Sequence, residues 1–563
     1  MMMPGRIGRA VLSLALFSTV VLVAPPSAEA VSWPSDSVRV SVEAGRLAGA
    51  DRYATAVEIA RQAFPRWEGV EYVVVASGED RALSDPLAAA GLAGVFDAPL
   101  LLVHSGGLPN SVRSAIADMP SGVKVVIVGG TTAVPRTVGQ ALERIDRVGS
   151  IERVEGADRF QTAHRIAERM RSELSARGEE MPKVALLANG SDPETFSDAL
   201  SLAAVSAGTG APVLLLERSS IPASTAIALR DLGLARRIVA GGYRTVSGSV
   251  VNSLRAERWA GPDRYATAGE ISRRAVSEGW AQSGEFGLAA QLSDALSGGS
   301  VLGRRGGTLL LTDATALPQH TARTLAVAPA SARTLIFGGP ASVSDSVLDE
   351  LRGSPAQPSI VGPAAPLGYV GKRGRVVVRT GSNTTGVRIY HGDRRIATRA
   401  AGSFATVDLG VIDLPEGVLR VVAHNPDGKQ TASERRLRRL SYPAATSIVV
   451  DKSDFKLYWV RNDVLVKAYP VGIGRTNAET PGATWRIDSK YHTDPRSVYG
   501  PRKMRMYRKD GTRYVYTAYN IHGTNQPWAI GTKVSSGCIR MYNEDVLELF
   551  PQVSLGTIVV TRE

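Results

Sequence analysis

The chain has 563 residues, of which 44% are hydrophobic and 21% are charged, and it carries a net charge of +13. This balance excludes the low-complexity and disordered classes, and a chain of this length divides into about three to five domains. The positive charge favours polyanions, which outside a cell are wall polymers or phospholipid headgroups. The alternative is that basic residues only solvate the surface. No nucleic-acid-binding module is present in the sequence, so we expect no nucleic-acid partner.

Residues 1–30 have the pattern of a secretory signal peptide. Arg6 and Arg9 precede an uncharged apolar run over 10–24, and a small-x-small cleavage site follows at 28–30. The run is shorter than the roughly 18 residues that cross a bilayer. The sequence therefore predicts a secreted protein with no transmembrane segment after cleavage, and the alternative is an uncleaved anchor.

Three landmarks recur in the same order along the next part of the chain. A Gly-x-Asp-Arg motif followed by an aromatic residue begins at Gly49 and returns at Gly156 and Gly261. Ser-Asp pairs that open Ala/Leu-rich segments, and Gly-Gly pairs that end apolar runs, recur between these motifs. This order indicates an internal triplication. The predicted repeats are 40–145, 146–250 and 251–355.

Each repeat is predicted to be α/β. Apolar residues at helical spacing follow each repeated Asp, and short apolar runs such as 73–75 and 125–128 are typical of strands buried on both faces of a parallel sheet. The Asp is expected to cap its helix and the next Arg to pair with a carboxylate of the following repeat; the alternative is that both contact a polymer. The Gly-Gly pairs are interpreted as tight turns, because no phosphate-binding motif accompanies them.

The triplication resembles the cell-wall-binding repeat (type 2) family over residues 40–355. The resemblance rests on the Gly-x-Asp-Arg-Tyr/Phe-x-Thr-Ala signature and on the Gly-Gly strand ends. It implies an anchor that holds an exported protein on the cell wall by contacting anionic polymers.

The remaining third of the chain is predicted to be mostly β. Residues 356–443 are expected to form a linker and a small β-rich spacer, and the basic run 435–439 is interpreted as a solvated linker. Residues 444–563 are predicted to form a mostly-β domain with a hairpin over 456–469 and one helix, which Asn543 is expected to cap.

Cys538 is the only cysteine of the chain, so it cannot form an intramolecular disulfide. A lone thiol in an exported protein is either an accident or a reactive group. His522-Gly523 precedes it by 16 residues, and an imidazole close in space can deprotonate the thiol. His492 is the weaker base candidate because it lies in a polar stretch far upstream. The alternative is an inert buried cysteine beside a structural histidine.

This segment resembles the catalytic motif of YkuD-type L,D-transpeptidases, in which His-Gly is followed by Ser-His-Gly-Cys-x-Arg. The resemblance implies that Cys538 is the nucleophile and His522 its base. It implies that the Gly523 carbonyl orients the imidazole, and that the Gly537 and Cys538 amides form the oxyanion hole.

Three further positions of the motif are implied to bind substrate, namely Ser535, Ser536 and Arg540. Ser536 departs from the family pattern, because many members carry a second histidine there. A hydroxyl cannot supply a cation, so the departure puts the strength of substrate binding or oxyanion stabilisation in doubt.

The resemblance as a whole implies a secreted, wall-associated L,D-transpeptidase that crosslinks peptidoglycan stem peptides through a thioester on Cys538. Neither a cofactor nor a metal is expected, and carbapenem-type β-lactams are expected to acylate the same sulfur. Two alternatives stay open. One is an L,D-carboxypeptidase, in which water replaces the acceptor, and the other is a non-catalytic wall-binding or surface protein with a degenerate last domain.

Overall fold

The three repeats fold into three parallel four-stranded β-sheets, each covered by helices. The computed structural model describes residue 38 and residues 40–80, 83–510 and 513–563; the predicted signal peptide lies outside these residues. Val73 and Val75 pack into one hydrophobic core and Val74 into another, so the strand is buried on both faces, as the apolar runs predict. None of the helices in the described ranges is long and apolar enough to cross a membrane.

The elements of the repeat region follow the order predicted for α/β units. The first sheet and its surroundings contain β1 (Ser41–Leu47), α1 (Arg52–Ala63), β2 (Tyr72–Ser77), α2 (Ser84–Phe96), β3 (Leu100–Val103), α3 (Asn110–Ala117), β4 (Val123–Val128), α4 (Arg136–Glu143) and β5 (Val148–Val154). The second group is α5 (Arg159–Ala176), β6 (Val184–Asn189), α6 (Phe196–Thr209), β7 (Val213–Leu216), α7 (Ala223–Asp231), β8 (Arg236–Ala240), α8 (Gly248–Leu254) and β9 (Glu257–Trp259). The third group is α9 (Arg264–Ser277), β10 (Glu285–Ala289), α10 (Leu292–Arg305), β11 (Thr308–Leu311), α11 (Gln319–Ala326), β12 (Arg333–Phe337) and α12 (Asp345–Leu351).

Each sheet is completed by one strand that belongs to another repeat in the predicted boundaries. The strand orders are β3-β2-β4-β5, β7-β6-β8-β9 and β1-β12-β10-β11. In the predicted boundaries β5 belongs to the second repeat and β9 to the third, yet they complete the sheets of the first and the second. The strand β1, which precedes the first helix, completes the sheet of the third repeat. The sequence period gives the repeat length but does not show which sheet a boundary strand joins. Because each repeat supplies one strand to the sheet of another, the three repeats are linked in a cycle.

The helices α2, α6 and α10 pack against one another in a core that all three repeats share. Small residues allow this approach: a Cβ at Gly303 would lie 2.4 Å from the Ala207 Cβ. The Ala/Leu-rich segments that open with Ser-Asp therefore form the centre of the anchor region.

The repeated Asp residues cap the helices that follow them, as predicted. Asp51, for example, accepts hydrogen bonds from two backbone N–H groups of the first turn of α1. The predicted pairing of the next arginine with a neighbouring repeat is wrong at the first repeat. Arg52 donates to Gly78 O at 2.7 Å and pairs with Asp80 at 2.6 Å, both within its own repeat. Both acceptors lie just after β2.

The spacer is built of β-strands, as predicted, and the strands form two sheets. Its strands are β13 (Ser359–Gly362), β14 (Tyr369–Val370), β15 (Arg373–Arg379), β16 (Gly386–His391), β17 (Arg394–Ala400), β18 (Thr406–Asp413), β19 (Gly417–His424) and β20 (Gln430–Arg439). Strands β13, β15 and β18 lie in one sheet, which continues into the last domain where Arg373 pairs with Val464. The other sheet has the order β14-β20-β19-β16-β17. A core of buried aliphatic side chains lies between them.

The basic run 435–439 is not a linker, so that interpretation is wrong. It is the end of β20, where alternation turns Leu437 into the core. Arg435 donates to Pro363 O at 2.9 Å and Arg439 to Leu414 O at 2.7 Å. Arginine side chains long enough to reach carbonyls of the facing sheet therefore hold the spacer together.

Buried polar groups join the third repeat to the spacer. Glu350 of α12 is 1% exposed, and its carboxylate accepts hydrogen bonds from Ser382 Oγ at 2.5 Å and from Leu317 N at 3.2 Å. Asn383 Nδ2 donates to the Glu350 carbonyl at 2.7 Å. Burial raises the pKa of Glu350 to about 7, and its Oε1 has no partner among the described residues.

We expect this joint to be more stable at acid than at alkaline pH. The folded protein keeps the Glu350 proton up to about pH 7, whereas the unfolded chain releases it near its ordinary value of 4.5. Stability present below pH 4.5 is therefore lost as the pH rises to 7, by about 3 kcal/mol at roughly 1.4 kcal/mol per pKa unit. Thermal unfolding midpoints at pH 5 and pH 8 should differ less in Glu350→Gln than in the wild type. The exposed neighbour Asp349→Asn is the control, and equal pH dependence in both variants contradicts the prediction.

The C-terminal domain is a closed, mostly antiparallel sheet with one helix. Its elements are β21 (Ser447–Asp451), β22 (Lys456–Arg461), β23 (Val464–Gly474), β24 (Ala483–His492), β25 (Arg502–Asp510), β26 (Arg513–His522), β27 (Lys533–Ser535), β28 (Ile539–Met541), α13 (Asn543–Leu549) and β29 (Ile558–Arg562). The strand order β23-β22-β21-β29-β24-β25-β26-β28 closes because β28 also pairs with β23. The predicted hairpin is confirmed, with Asn462 and Asp463 in left-handed conformations at its turn.

Candidate active site

Two neighbouring strands bring the predicted nucleophile and base together. Strands β26 and β28 run parallel, with Ile521 opposite Ile539 and His522 opposite Arg540. Both isoleucines are buried in the core of the domain. Since side chains alternate along a strand, His522, Arg540 and the preceding Cys538 lie on the other face of this sheet. Residues 523–538, which include the short strand β27, connect these two neighbouring strands.

His522 is buried and held in one orientation. It is 3% exposed, its Nδ1 lies 2.5 Å from Gly523 O, and the Tyr499 ring packs edge-on at 5.1 Å. Burial lowers its pKa to about 4, and the charges of Arg540 and Lys503 act in the same direction. The imidazole is therefore neutral at pH 7. Because Nδ1–H donates to the carbonyl, Nε2 carries the lone pair that a general base needs.

This low pKa predicts an active base well into the acid range. Neutral His522 predominates above about pH 4, whereas an ordinary histidine becomes protonated below its model value of 6.5. We expect the rate of thiol acylation by a carbapenem to fall on the acid side with a midpoint near pH 4. The measurement is adduct formation by intact-protein mass across pH, with Cys538→Ala as the blank for drug hydrolysis. A midpoint near 6.5 contradicts the prediction.

Cys538 is half-buried and lies on a turn that side-chain hydrogen bonds hold in place. Ser535 Oγ donates to Cys538 O at 2.6 Å and accepts from Gly537 N at 3.2 Å, and Thr480 Oγ1 donates to Gly537 O at 3.0 Å. Ser535 is 2% exposed, so it positions the turn and does not reach a substrate. The Gly537 N–H, implied as an oxyanion donor, is already engaged. Within the described chain, no backbone hydrogen bond uses the Cys538 N–H, which leaves it as the candidate donor.

The sulfur has two polar neighbours in the structure. Asn520 Nδ2 lies 3.7 Å and Ala518 O lies 3.6 Å from Cys538 Sγ. No hydrogen bond joins Sγ to His522 in the described residues, and such contacts are often long before substrate binds. Sequence reasoning missed Asn520. Its position two residues before His522 on a strand places it on the same face, which is the signal that could have found it.

The remaining predicted contacts lie on the loop side of the site. Arg540 Nη1 donates to Gln526 Oε1 at 2.8 Å, and Arg540 Nε is buried without a partner among the described residues. Arg540 therefore ties the loop after His522 to β28. Ser536 is exposed beside the nucleophile, where a substrate can reach it. His492 lies on β24 and not on the two strands that carry His522 and Arg540, and its ring packs edge-on against the Phe550 ring.

Asn543 fastens the same loop and does not cap the helix, so the expected cap is wrong. The helix begins at Asn543 with Tyr542 in the cap position. Asn543 Oδ1 accepts from Thr524 N at 2.8 Å, and a Cβ at Gly523 would lie 2.4 Å from that oxygen. Glycine at 523 is thus required by the close approach of α13 to the loop. In the described ranges, no group of three metal-ligating side chains is placed to hold a metal ion.

Comparison with known families decides the membership of the chain. Residues 46–139, 153–251 and 258–348, about half of the chain, match the cell wall binding domain 2 (CWB2) family. The chain belongs to the CWB2 family. Residues 445–561 match the L,D-transpeptidase catalytic domain (YkuD), so the last domain of this CWB2 protein is of the YkuD type.

Individual relatives each match only part of the chain. N-acetylmuramoyl-L-alanine amidase LytC of Bacillus subtilis is 27% identical over 311 residues, which are 54% of this chain and 58% of the amidase. "Probable L,D-transpeptidase YbiS" of Escherichia coli is 33% identical over 137 residues, 20% of this chain and 43% of that protein. The chain thus spans less than two thirds of each relative. Cwp6 from Clostridium difficile aligns at a TM-score of 0.49 with 23% identity, over 56% of this chain and 48% of Cwp6.

Proposed function

We propose that the protein is a secreted, wall-anchored L,D-transpeptidase that crosslinks peptidoglycan by cysteine acyl transfer. The observation that carries the proposal is the neutral, oriented His522 on the strand beside the Cys538 turn. The CWB2 repeats contact anionic wall polymers. Tethering to the wall raises the local concentration of stem peptides around the YkuD-type domain.

The first half of the reaction acylates the cysteine. The Cys538 thiol gives its proton to His522 Nε2, and sulfur attacks the carbonyl carbon of the third residue of a donor stem. The Cys538 N–H stabilises the developing oxyanion. A C–S bond forms, the C–N bond to the terminal D-amino acid breaks, and the proton on Nε2 passes to the leaving amine.

The second half transfers the acyl group to an amine. A side-chain amine of a neighbouring stem attacks the thioester carbonyl, so that a C–N bond forms and the C–S bond breaks. The proton lost by the amine passes through Nε2 to the sulfur, and both residues return to their starting state. Arg540 and Ser536 bind the substrate beside the reacting centre.

The test is incubation of the full mature chain with a disaccharide-tetrapeptide donor, followed by mass analysis of the products. A dimer that has lost one terminal D-amino acid supports the transpeptidase. Tripeptide monomers without dimer replace it with the L,D-carboxypeptidase. Unchanged donor with reduced, folded protein replaces it with a non-catalytic wall-binding protein.

A further inference from the structure

The spacer lies between the two family matches, which end at residue 348 and resume at residue 445. Residues 359–439 contain 14 arginines and lysines but only 6 acidic residues. This segment therefore supplies more than half of the +13 net charge of the chain.

Part of this charge serves the fold. Arg435, Arg438 and Arg439 donate hydrogen bonds to backbone carbonyls within the spacer. Lys372, Arg373 and Arg375 form ion pairs. These six cations have partners and are not candidates for a ligand.

Four other arginines share the outer face of the five-stranded sheet. In β16, Val387 and Ile389 point into the core, so Arg388 and Tyr390 point outward. We call the outward side chains Arg388, Arg395, Arg420 and Arg436 the arginine face.

Strand register places the arginine face across four neighbouring strands. Tyr390 lies opposite Arg395 on one side and Arg420 on the other, and the Arg420 guanidinium stacks on the Tyr390 ring at 4.7 Å. Arg395 and Arg436 are exposed to solvent. Glu434 is opposite Arg420 in the register.

The chemistry of this face fits a polymer of phosphate groups. Guanidinium groups bind phosphate oxygens in a bidentate manner and keep their charge at any physiological pH. Cations on neighbouring strands, about 4.8 Å apart, repel one another, and a bound polyanion removes that repulsion. The repeating charge of a phosphodiester polymer suits cations spread over a flat sheet.

We propose that the arginine face binds a phosphodiester-linked wall polymer, which gives the protein a wall contact separate from its repeats. The contact lies in the segment that connects the anchor to the YkuD-type domain, so it keeps that segment on the wall surface.

The experiment compares binding of the full mature chain to purified cell walls across a NaCl series. The test variant carries Arg388→Gln, Arg395→Gln and Arg436→Gln. The matched control carries Arg461→Gln, Arg475→Gln and Lys533→Gln, which remove the same charge from exposed positions of the last domain. Each lost phosphate contact lowers the slope of log affinity against log salt by about 0.7. We expect a slope lower by about 2 and binding at least tenfold weaker at low salt for the test variant, with the control close to wild type.

Walls stripped of phosphodiester polymers by hydrofluoric acid identify the ligand. The difference between wild type and test variant should vanish on stripped walls. Equal losses in test variant and control, or a difference that persists on stripped walls, overturn the proposal. Selective loss of binding to phosphatidylglycerol vesicles, with wall binding kept, also overturns it in favour of a membrane. If the triple variant unfolds at lower temperature, Arg436→Gln alone repeats the comparison.

Discussion

We expect Cys538→Ala to abolish the product formation proposed above and the carbapenem adduct, because it removes the only thiol of the chain. Loss of a nucleophile in a serine or cysteine acyltransferase costs on the order of 10⁴-fold or more in turnover. Stability should change little, since the half-buried sulfur makes only two long polar contacts, at 3.6 and 3.7 Å. The measurements are dimer yield from the tetrapeptide donor and intact-protein mass after incubation with a carbapenem.

The control for this variant is Cys538→Ser, which keeps the shape of the turn with a weaker nucleophile. A folded Cys538→Ala protein that still forms dimers places the chemistry elsewhere and removes the basis of the proposed function. If wild-type protein forms the adduct but no dimers, the thiol is reactive and the result favours the L,D-carboxypeptidase over the transpeptidase.

Gly537→Ala should be nearly as damaging, although residue 537 has no side chain to lose. Its φ is +100°, a conformation that residues with a Cβ rarely adopt. A Cβ there would lie 2.2 Å from Tyr519 Cε1 and 3.3 Å from Glu479 O. The turn must shift, and displacement of a reacting atom by about 1 Å costs roughly 10²-fold in rate. We expect adduct formation to slow by about that factor, with a stability loss of about 1–3 kcal/mol.

Gly531→Ala is the control that separates backbone strain at a positive φ from a steric clash of the new Cβ. Gly531 lies on the same loop with φ +85°, and nothing lies within 4 Å of its Cβ position. This control should lose stability but keep most of the acylation rate. Gly537→Ala combined with Tyr519→Ala should recover part of the rate by removing the ring. Equal acylation rates for Gly537→Ala and wild type contradict the importance of the turn.

The candidate nucleophile and base could be proposed from sequence because their motif is local. A lone cysteine, a histidine 16 residues earlier and glycines beside both suffice to propose the pair. The bracing of the site could not be predicted in this way. Thr480 reaches Gly537 from 57 positions away, and Asn543 reaches back to Thr524. Such contacts depend on how strands close in space, and the local signal of Asn543 pointed to a helix cap instead.

The same limit applies to the larger architecture. Apolar runs predict buried parallel strands, and β-rich runs predict a β spacer, because each depends on neighbouring residues. The exchange of strands between repeats depends on partners far along the chain, such as Ser41 beside Arg333. A run of arginines such as 435–439 looks solvated until the facing carbonyls are known.

The strand β1 determines the order in which the anchor can mature. During synthesis β1 emerges before its partner β12, which follows almost 300 residues later. Until then β1 has an unpaired edge, and the third sheet cannot be completed. The last step of anchor assembly is therefore the joining of the two ends of the repeat region. A nascent chain that stops after two repeats lacks β12, the strand with which β1 pairs in this structure.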